Sequence, residues 1–213
     1  MHTQTTETPQ QVTDEKSATL SRSRWNWNRI RTVAFGATTF VVVFELTAGS
    51  VWNLLQIEWV RVQLSHLGYP HYFAYIIGAW HVGAAVVIIA PRLPVIKEWA
   101  YAGCFFLWSG AVASHLSAGD GVEAWRMPLI FATCAIASWA LRPADRRLPE
   151  TQLRRDRPAS AGQEGAGPPE NRPRAWAVPI GILVVLYAVS FLTLPAIEPA
   201  LHERAVKLGW LTH

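Results

Sequence analysis

The sequence has few charged residues, few cysteines and few methionines. Of its 213 residues only 16% are charged, two are Cys and two are Met, whereas 51% are hydrophobic and eleven are Trp. Soluble domains carry roughly a quarter charged residues, and disulfide-stapled secreted domains are rich in cysteine. The composition therefore disfavours a soluble globule, a disulfide scaffold and a fully disordered chain, and it favours a small polytopic membrane protein.

The basic residues do not form the continuous stripe that is typical of nucleic-acid binding. The formal net charge is +4, but the arginines flank apolar runs, with four between residues 22 and 31 and six between residues 142 and 157. This placement follows the positive-inside rule and favours anionic lipid headgroups. We therefore expect the lipid bilayer as a partner and no nucleic acid, since the motifs for nucleic-acid recognition are absent.

Five apolar segments approach the roughly 20 residues that cross a bilayer. They cover residues 33–52, 72–90, 97–116, 126–142 and 176–197. Several of them have Trp or Tyr at their ends, where aromatic rings prefer to lie in membrane proteins. We predict an all-α polytopic membrane protein with a four-transmembrane-helix bundle and a fifth, C-terminal transmembrane helix.

The domain organisation follows from these segments and from the distribution of Lys and Arg. It places the protein in the cell membrane with a cytoplasmic N-terminus and a C-terminus outside. The predicted parts are a disordered cytoplasmic tail (1–32), a four-helix membrane unit (33–142), a flexible Pro/Arg-rich cytoplasmic linker (143–175), a fifth transmembrane helix (176–197) and a short interfacial C-terminal segment (198–213).

Glu45 and His81 are the first candidates for chemistry, because an ionisable side chain inside a bilayer is costly. Each shares a helix face with small residues, which mark the closely packed side of a membrane helix. Their predicted depths differ by only about 3 Å at a rise of about 1.5 Å per residue. A carboxylate beside an imidazole can relay a proton, and the alternative is a hydrogen-bonded pair that only fixes helix packing.

His115 lies at the outer end of the third segment, roughly 12 Å from the depth of His81 at the helical rise. This offset disfavours a haem held by both histidines. We expect His115 at an outer vestibule, and the alternative is a solvated interfacial histidine. The other residues expected at this vestibule are Tyr69, Tyr72, Ser114 and Asp120.

The remaining candidates supply packing more readily than chemistry. Cys104 and Cys134 are not part of a C-x-x-C motif and are expected to be small apolar fillers. Trp80 and Trp108 are expected to supply aromatic walls to a ligand site. The scattered His and carboxylate residues do not have the spacing of a metal site, so no metal is predicted.

Three stretches of the chain resemble the DoxX-like family of small four-helix membrane proteins. They are Leu67-Gly68-Tyr69-Pro70 with Gly78-Ala79-Trp80-His81, then Lys97-Glu98-Trp99-Ala100-Tyr101-Ala102-Gly103, and then Ser114-His115-Leu116 with Gly119-Asp120. The resemblance covers about residues 33–147. One departure is Gly49-Ser50-Val51-Trp52-Asn53-Leu54, where many relatives carry a lysine, and the linker and fifth helix are additions.

The resemblance implies a left-handed four-helix membrane unit. The family name is attached to a subunit of a quinone-reducing thiosulfate oxidoreductase or terminal quinol oxidase system. It therefore implies a redox-linked subunit that binds a quinone or another lipophilic substrate, with Glu45, His81 and His115 as candidate catalytic residues. The alternative is a non-catalytic assembly protein that docks a membrane or cytoplasmic protein partner. Lys97 and Glu98 have an alternative role in anchoring the third helix.

Overall fold

The computed structural model describes residues 9–91, 93–143 and 174–211, with side chains described from residue 27. The described residues form helices and no strand, which confirms an all-α protein. The helices are α1 (Pro9–Leu55), α2 (Glu58–His66), α3 (Tyr72–Ile89), α4 (Pro94–Ser117), α5 (Val122–Leu141) and α6 (Arg174–Lys207).

Four of these helices form the predicted bundle. α1 packs against α3 and α5, and α4 packs against the same two helices. Each contributes to one apolar core that includes Leu46 of α1, Ala85 of α3, Trp108 of α4 and Ala135 of α5. Small alanines alternate with larger side chains in this core, so the helices approach each other closely, as is usual in membrane bundles.

Four of the described helices are both long and apolar enough to cross a membrane. They cover Trp27–Leu55, Tyr72–Ile89, Val122–Leu141 and Trp176–Lys207. α4, which corresponds to the predicted third span (97–116), is not among them, and its 24 residues include Lys97, Glu98 and His115. Its length nevertheless corresponds to about 36 Å at the helical rise. α4 also connects the two ends of the bundle, since it follows the end of α3 and precedes the start of α5.

The first helix begins earlier than predicted. α1 starts at Pro9, within the segment predicted as a disordered tail, and its apolar span begins at Trp27 and not at Val33. The stretch between Pro9 and Gly36 contains neither Pro nor Gly, so nothing in it interrupts a helix. Residues 1–8 of the predicted tail lie outside the described residues.

A short helix, α2, connects α1 to α3 and was not predicted. The chain turns through Gln56, whose φ is 48°, and leaves α2 through Gly68 at φ 77°. Glycine tolerates the second conformation without strain because it has no Cβ. Val60 and Leu64 of α2 are buried against Ala74 of α3, so α2 covers one end of the bundle. We call this the α2 end.

The C-terminal helix is longer than predicted. The fifth span continues without a break to Lys207, so residues 198–207 of the predicted interfacial segment belong to α6. The helix is held along its length, because Leu186 packs in the bundle core and Leu201 packs against α2. The chain then turns at Gly209, whose φ is 75°. Most of the predicted linker (143–175) lies outside the described residues.

The crossing of α1 and α3 depends on two glycines. A Cβ at Gly49 would lie 2.9 Å from both Cε1 and Nδ1 of His81. A Cβ at Gly78 would lie 2.7 Å from Cγ of Leu54 and 3.3 Å from Cβ of Asn53. All of these distances are shorter than ordinary van der Waals contact, so the two helices could not approach this closely with larger residues at Gly49 and Gly78.

Replacement of Gly78 by alanine is expected to destabilise the protein. The added methyl group must displace Leu54, and such overpacking typically costs about 1–3 kcal/mol. Gly83 lies on the same helix, and a Cβ added there would have no neighbouring atom within 4 Å. Gly83→Ala is therefore the matched control. Thermal unfolding in detergent should give a lower midpoint for Gly78→Ala and an unchanged or higher one for Gly83→Ala. Equal midpoints for the two variants would contradict this packing.

Candidate functional site

A cavity of about 430 Å³ lies between the bundle helices and α2. Its walls are mainly apolar and aromatic, and the size is within the range of small-molecule sites, roughly 300–1,000 Å³. Six of the nine predicted site residues line it, and they come from α1, α3, α4 and the connection after α2. These six are Glu45, Tyr69, His81, Trp108, Ser114 and His115.

His81 and Glu45 lie on opposite helices at the part of the cavity away from α2. The His81 side chain packs against Gly49 and is 5% exposed. Neither ring nitrogen has a hydrogen-bond partner in the described part of the chain. The Glu45 carboxyl group lies near the same position on α1, because a Cβ added at Gly49 would lie 3.6 Å from Oε1 of Glu45. The structure therefore brings the two residues together at Gly49 without a direct hydrogen bond between them.

His115 lies at the α2 end of the cavity in a hydrogen-bonded chain. Its Nδ1 is 2.7 Å from Oδ2 of Asp120, and its Nε2 is 3.1 Å from Nε2 of Gln63. Asp120 is held from its other side by His66, whose Nε2 lies 2.9 Å from Oδ1. The His115 ring is fully buried, whereas the His66 side chain is 28% exposed. The structure thus differs from the alternative of a solvated interfacial histidine.

The two histidines determine the charge of Asp120. Burial raises the pKa of Asp120. Hydrogen bonds from His115 and His66, together with the positive charge that these rings carry when protonated, lower it by more, so the net pKa is below its ordinary value. Hydrogen bonds that favour the charged form of a carboxylate have this effect. Asp120 is therefore ionised over the physiological pH range and acts only as an acceptor.

Trp210, beyond the end of α6, covers this histidine pair. Its ring stacks on His115 with a centroid distance of 5.5 Å and an interplanar angle of 11°. It also contacts His66 at 5.2 Å and Trp59 at 5.1 Å. Arg204 of α6 lies over the Trp59 ring at 5.5 Å. The C-terminal part of α6 therefore closes one side of the cavity.

Tyr69 and Ser114 form a second polar contact in the cavity wall. The Tyr69 hydroxyl lies 2.8 Å from Oγ of Ser114, which also donates to the carbonyl of Gly110. Tyr69 stacks on Phe73 with ring centroids 4.7 Å apart. These contacts attach the segment before α3 to the middle of α4 and place two hydroxyl groups near His115.

Three of the predicted site residues do not line the cavity. Tyr72 and Trp80 lie on the outer face of α3 and are 64% and 72% exposed. The predicted aromatic wall is provided by Trp108 with Phe131, whose ring centroids are 5.7 Å apart. Trp80 directly precedes His81 and points about 100° away from it around the helix, so Trp80 lies on the outer face while His81 faces inward. Asp120 reaches the cavity indirectly through His115.

Lys97 and Glu98 lie at the opposite end of the bundle, far along α4 from His115. Lys97 Nζ donates to the carbonyl of Ile88 at 2.7 Å. Glu98 accepts from Arg142 Nη2 and from Trp139 Nε1, both at 2.6 Å. These bonds attach the start of α4 to the ends of α3 and α5, as expected for anchoring residues. Cys104 and Cys134 are free thiols in the bundle.

Gln63, His66 and Trp210 were not predicted as site residues. Gln63 and His66 lie on α2, a nine-residue helix of mixed polarity that gives no strong pattern. Their spacing of three residues on one helix face was a usable signal. Trp210 contacts His66 from the far end of the chain, and only tertiary structure reveals such a contact.

Comparison with known proteins supports the resemblance found in the sequence. Residues 37–138 match the model of the DoxX-like family, which confirms the resemblance over the bundle. No curated protein and no solved structure matches the chain.

The stability of the α2 end is expected to depend on pH through Asp120. The folded pKa lies below the ordinary value of 3.8, so the carboxylate stabilises the fold above that value and loses its contribution as the pH falls through the folded pKa. Thermal unfolding measured from neutral to acidic pH should show this loss in the wild type. In Asp120→Asn the midpoint should be lower at neutral pH, and its decrease at acidic pH should be smaller.

Glu123→Gln is the matched control, because Glu123 is an exposed carboxylate close by that pairs with Arg126 at 3.0 Å. An exposed pair of this kind contributes little, so its profile should follow the wild type. An acid-induced loss of the same size in Asp120→Asn as in the wild type would contradict the role assigned to Asp120.

Proposed function

We propose that this DoxX-like membrane protein binds a lipophilic quinone or quinol in its cavity and acts as a redox-linked subunit. The observation that carries the proposal is His81, which is almost fully buried and faces the cavity. Within the described residues neither ring nitrogen makes a well-formed hydrogen bond, and the nearest polar group recorded for the ring is the backbone of Gly49. A buried polar group without a hydrogen bond costs free energy. A ligand carbonyl or hydroxyl group would satisfy it.

The shape and chemistry of the cavity suit a flat apolar molecule with polar groups on its ring. Trp108 and Phe131 offer an aromatic wall, against which a ring can stack. The polar side chains of the lining include one pair at Glu45 and His81 and another at His115 and Gln63, and Asn53 and Arg204 also line the cavity. A quinone carries its two oxygens on opposite sides of its ring, which corresponds to this distribution.

Glu45 and His81 are the proposed proton-handling groups. Reduction of a quinone to a quinol takes up two protons with two electrons, so a site for it needs groups that exchange protons away from water. The electrons pass between the ligand and a separate redox protein with its own cofactor. In the orientation predicted from the basic residues, with the N-terminus in the cytoplasm, the cavity lies in the outer half of the membrane.

The small residues on the helices and the additional C-terminal helix would suit an assembly protein, but they make contacts within this chain. Gly49 and Gly78 contact side chains of α3 and α1 in the same molecule, and α6 packs against α1 and α2. The small residues of α1 and α3 and the additional helix therefore have partners within the chain. These contacts favour the ligand-binding proposal over the docking of another protein.

Substitution of His81 or Glu45 is expected to weaken quinone binding. For a decyl-substituted 1,4-benzoquinone, His81→Ala should raise the dissociation constant about tenfold, because a buried hydrogen bond of roughly 1 kcal/mol or more is lost. Glu45→Gln should retain binding better but reduce quinol turnover with the redox partner present. Equilibrium dialysis of the protein in lipid nanodiscs measures the first effect.

His71→Ala is the matched control, since His71 is an exposed histidine at the start of α3 outside the cavity lining. It should bind the probe as the wild type does. If Glu45→Gln and His81→Ala both bind and turn over quinone as His71→Ala does, with normal folding, the proposed function is wrong.

A further inference from the structure

The donors and acceptors around His115 can be assigned from its neighbours. Asp120 is ionised and can only accept, so the Nδ1 atom of His115 must carry the proton that donates across 2.7 Å. Gln63 places its amide nitrogen, which is a donor, 3.1 Å from Nε2. Nε2 is therefore the acceptor of this contact and carries a lone pair. His115 therefore presents an acceptor to the cavity.

The local structure holds His115 in this state from three directions. The chain turns after α4 through Gly119, at φ 78°, and the amide of Asp120 donates to the carbonyl of His115 at 3.0 Å. This turn directs the Asp120 side chain back to the ring. His66 binds the same carboxylate from α2, and Trp210 stacks flat on the ring. Rotation of the ring would break its hydrogen bond to Asp120 and its stacking on Trp210.

We infer that the α2 end of the cavity is a binding site for the hydroxyl group of an aromatic ligand, with His115 Nε2 as acceptor and Asp120 and His66 as positioning residues. The inference rests on the proposed function and deepens it, because it assigns this end to the hydroxylated, reduced form of the ligand. The Gln63 amide occupies the acceptor in the absence of ligand. This amide is on a half-buried side chain of α2, and it moves aside when the ligand hydroxyl binds to Nε2.

The same arrangement gives the hydroxyl proton a destination. When a quinol is oxidised to a quinone, both of its O–H bonds break. One proton forms an N–H bond at Nε2 of His115, the other passes to the Glu45–His81 pair, and the two electrons pass to the separate redox protein. The resulting imidazolium is stabilised by the Asp120 carboxylate, as in other histidine–carboxylate pairs. Tyr69 and Ser114, already hydrogen-bonded to each other, lie in the wall beside this site.

The inference is tested by nitrogen-15 NMR of the histidine rings in lipid nanodiscs, with the His115 signals identified by their loss in His115→Gln. Free protein should show His115 protonated on Nδ1 and not on Nε2. Addition of 4-octylphenol should shift the Nε2 signal, whereas 4-octylanisole, which has the same shape but no hydroxyl donor, should not. Protonated Nε2 in the free protein, or equal shifts with both compounds, would overturn the inference.

Asp120→Asn separates a positioning role from a structural one. The asparagine can donate to Nδ1, so the Nε2-protonated tautomer should appear and the phenol affinity should fall about tenfold. Glu58→Gln is the matched control, because it weakens the His202–Glu58 pair (2.8 Å) at the same end of the bundle and should change neither readout. If Asp120→Asn shows the same His115 tautomer and the same phenol affinity as Glu58→Gln, the assignment is overturned.

His66→Gln provides a second variant if Asp120→Asn does not fold. Removal of the histidine that holds Asp120 should raise the fraction of His115 protonated on Nε2, and an unchanged fraction counts against the inference. Failure of the inference is distinguishable from failure of the proposed function. If the protein binds the benzoquinone through His81 but shows no phenol-specific shift, the proposed function stands and the inference is wrong. If it shows the phenol-specific shift but does not bind the benzoquinone through His81, the inference stands and the proposed function is wrong.

Discussion

The contact between α1 and α3 at Gly49 is the constraint on which the rest of the site depends. Only a residue without a Cβ allows the His81 ring to lie against the α1 backbone. This approach places His81 beside Glu45 and turns both towards the space between the helices. The second glycine, Gly78, maintains the crossing one turn away by accommodating Leu54. The cavity is thus a consequence of how closely two helices can pack.

Polar groups are distributed unevenly along the bundle, and this distribution separates anchoring from binding. At the end opposite α2, Lys97, Glu98 and Arg142 are joined by short hydrogen bonds to each other or to helix ends. Such pairing is what a low-dielectric surrounding requires of charged groups. Inside the cavity, His81 is left without a partner and His115 offers an acceptor to a movable amide. These two places are where a ligand gains most from binding.

The membrane fold and part of the site could be predicted from the sequence because both follow from local patterns. Apolar length indicated the spans, and the cost of ionisable residues in lipid indicated Glu45 and His81. The course of the chain at the α2 end could not be predicted, since α2 is short and of mixed polarity. His66 and Trp210 meet there only because α6 continues to Lys207 and the chain then turns at Gly209, next to Trp210.

The central claim is that the cavity holds a lipophilic ligand through the buried pair at Gly49. Native mass spectrometry of the protein extracted in its own lipids, in native nanodiscs, tests it most directly by reading the masses that remain bound. We predict one bound molecule of quinone or quinol mass per chain, lost or strongly reduced in His81→Ala, less reduced in Glu45→Gln and retained in His71→Ala. A wild-type protein that carries only lipid, or the same bound molecule in all of these variants, would contradict the account.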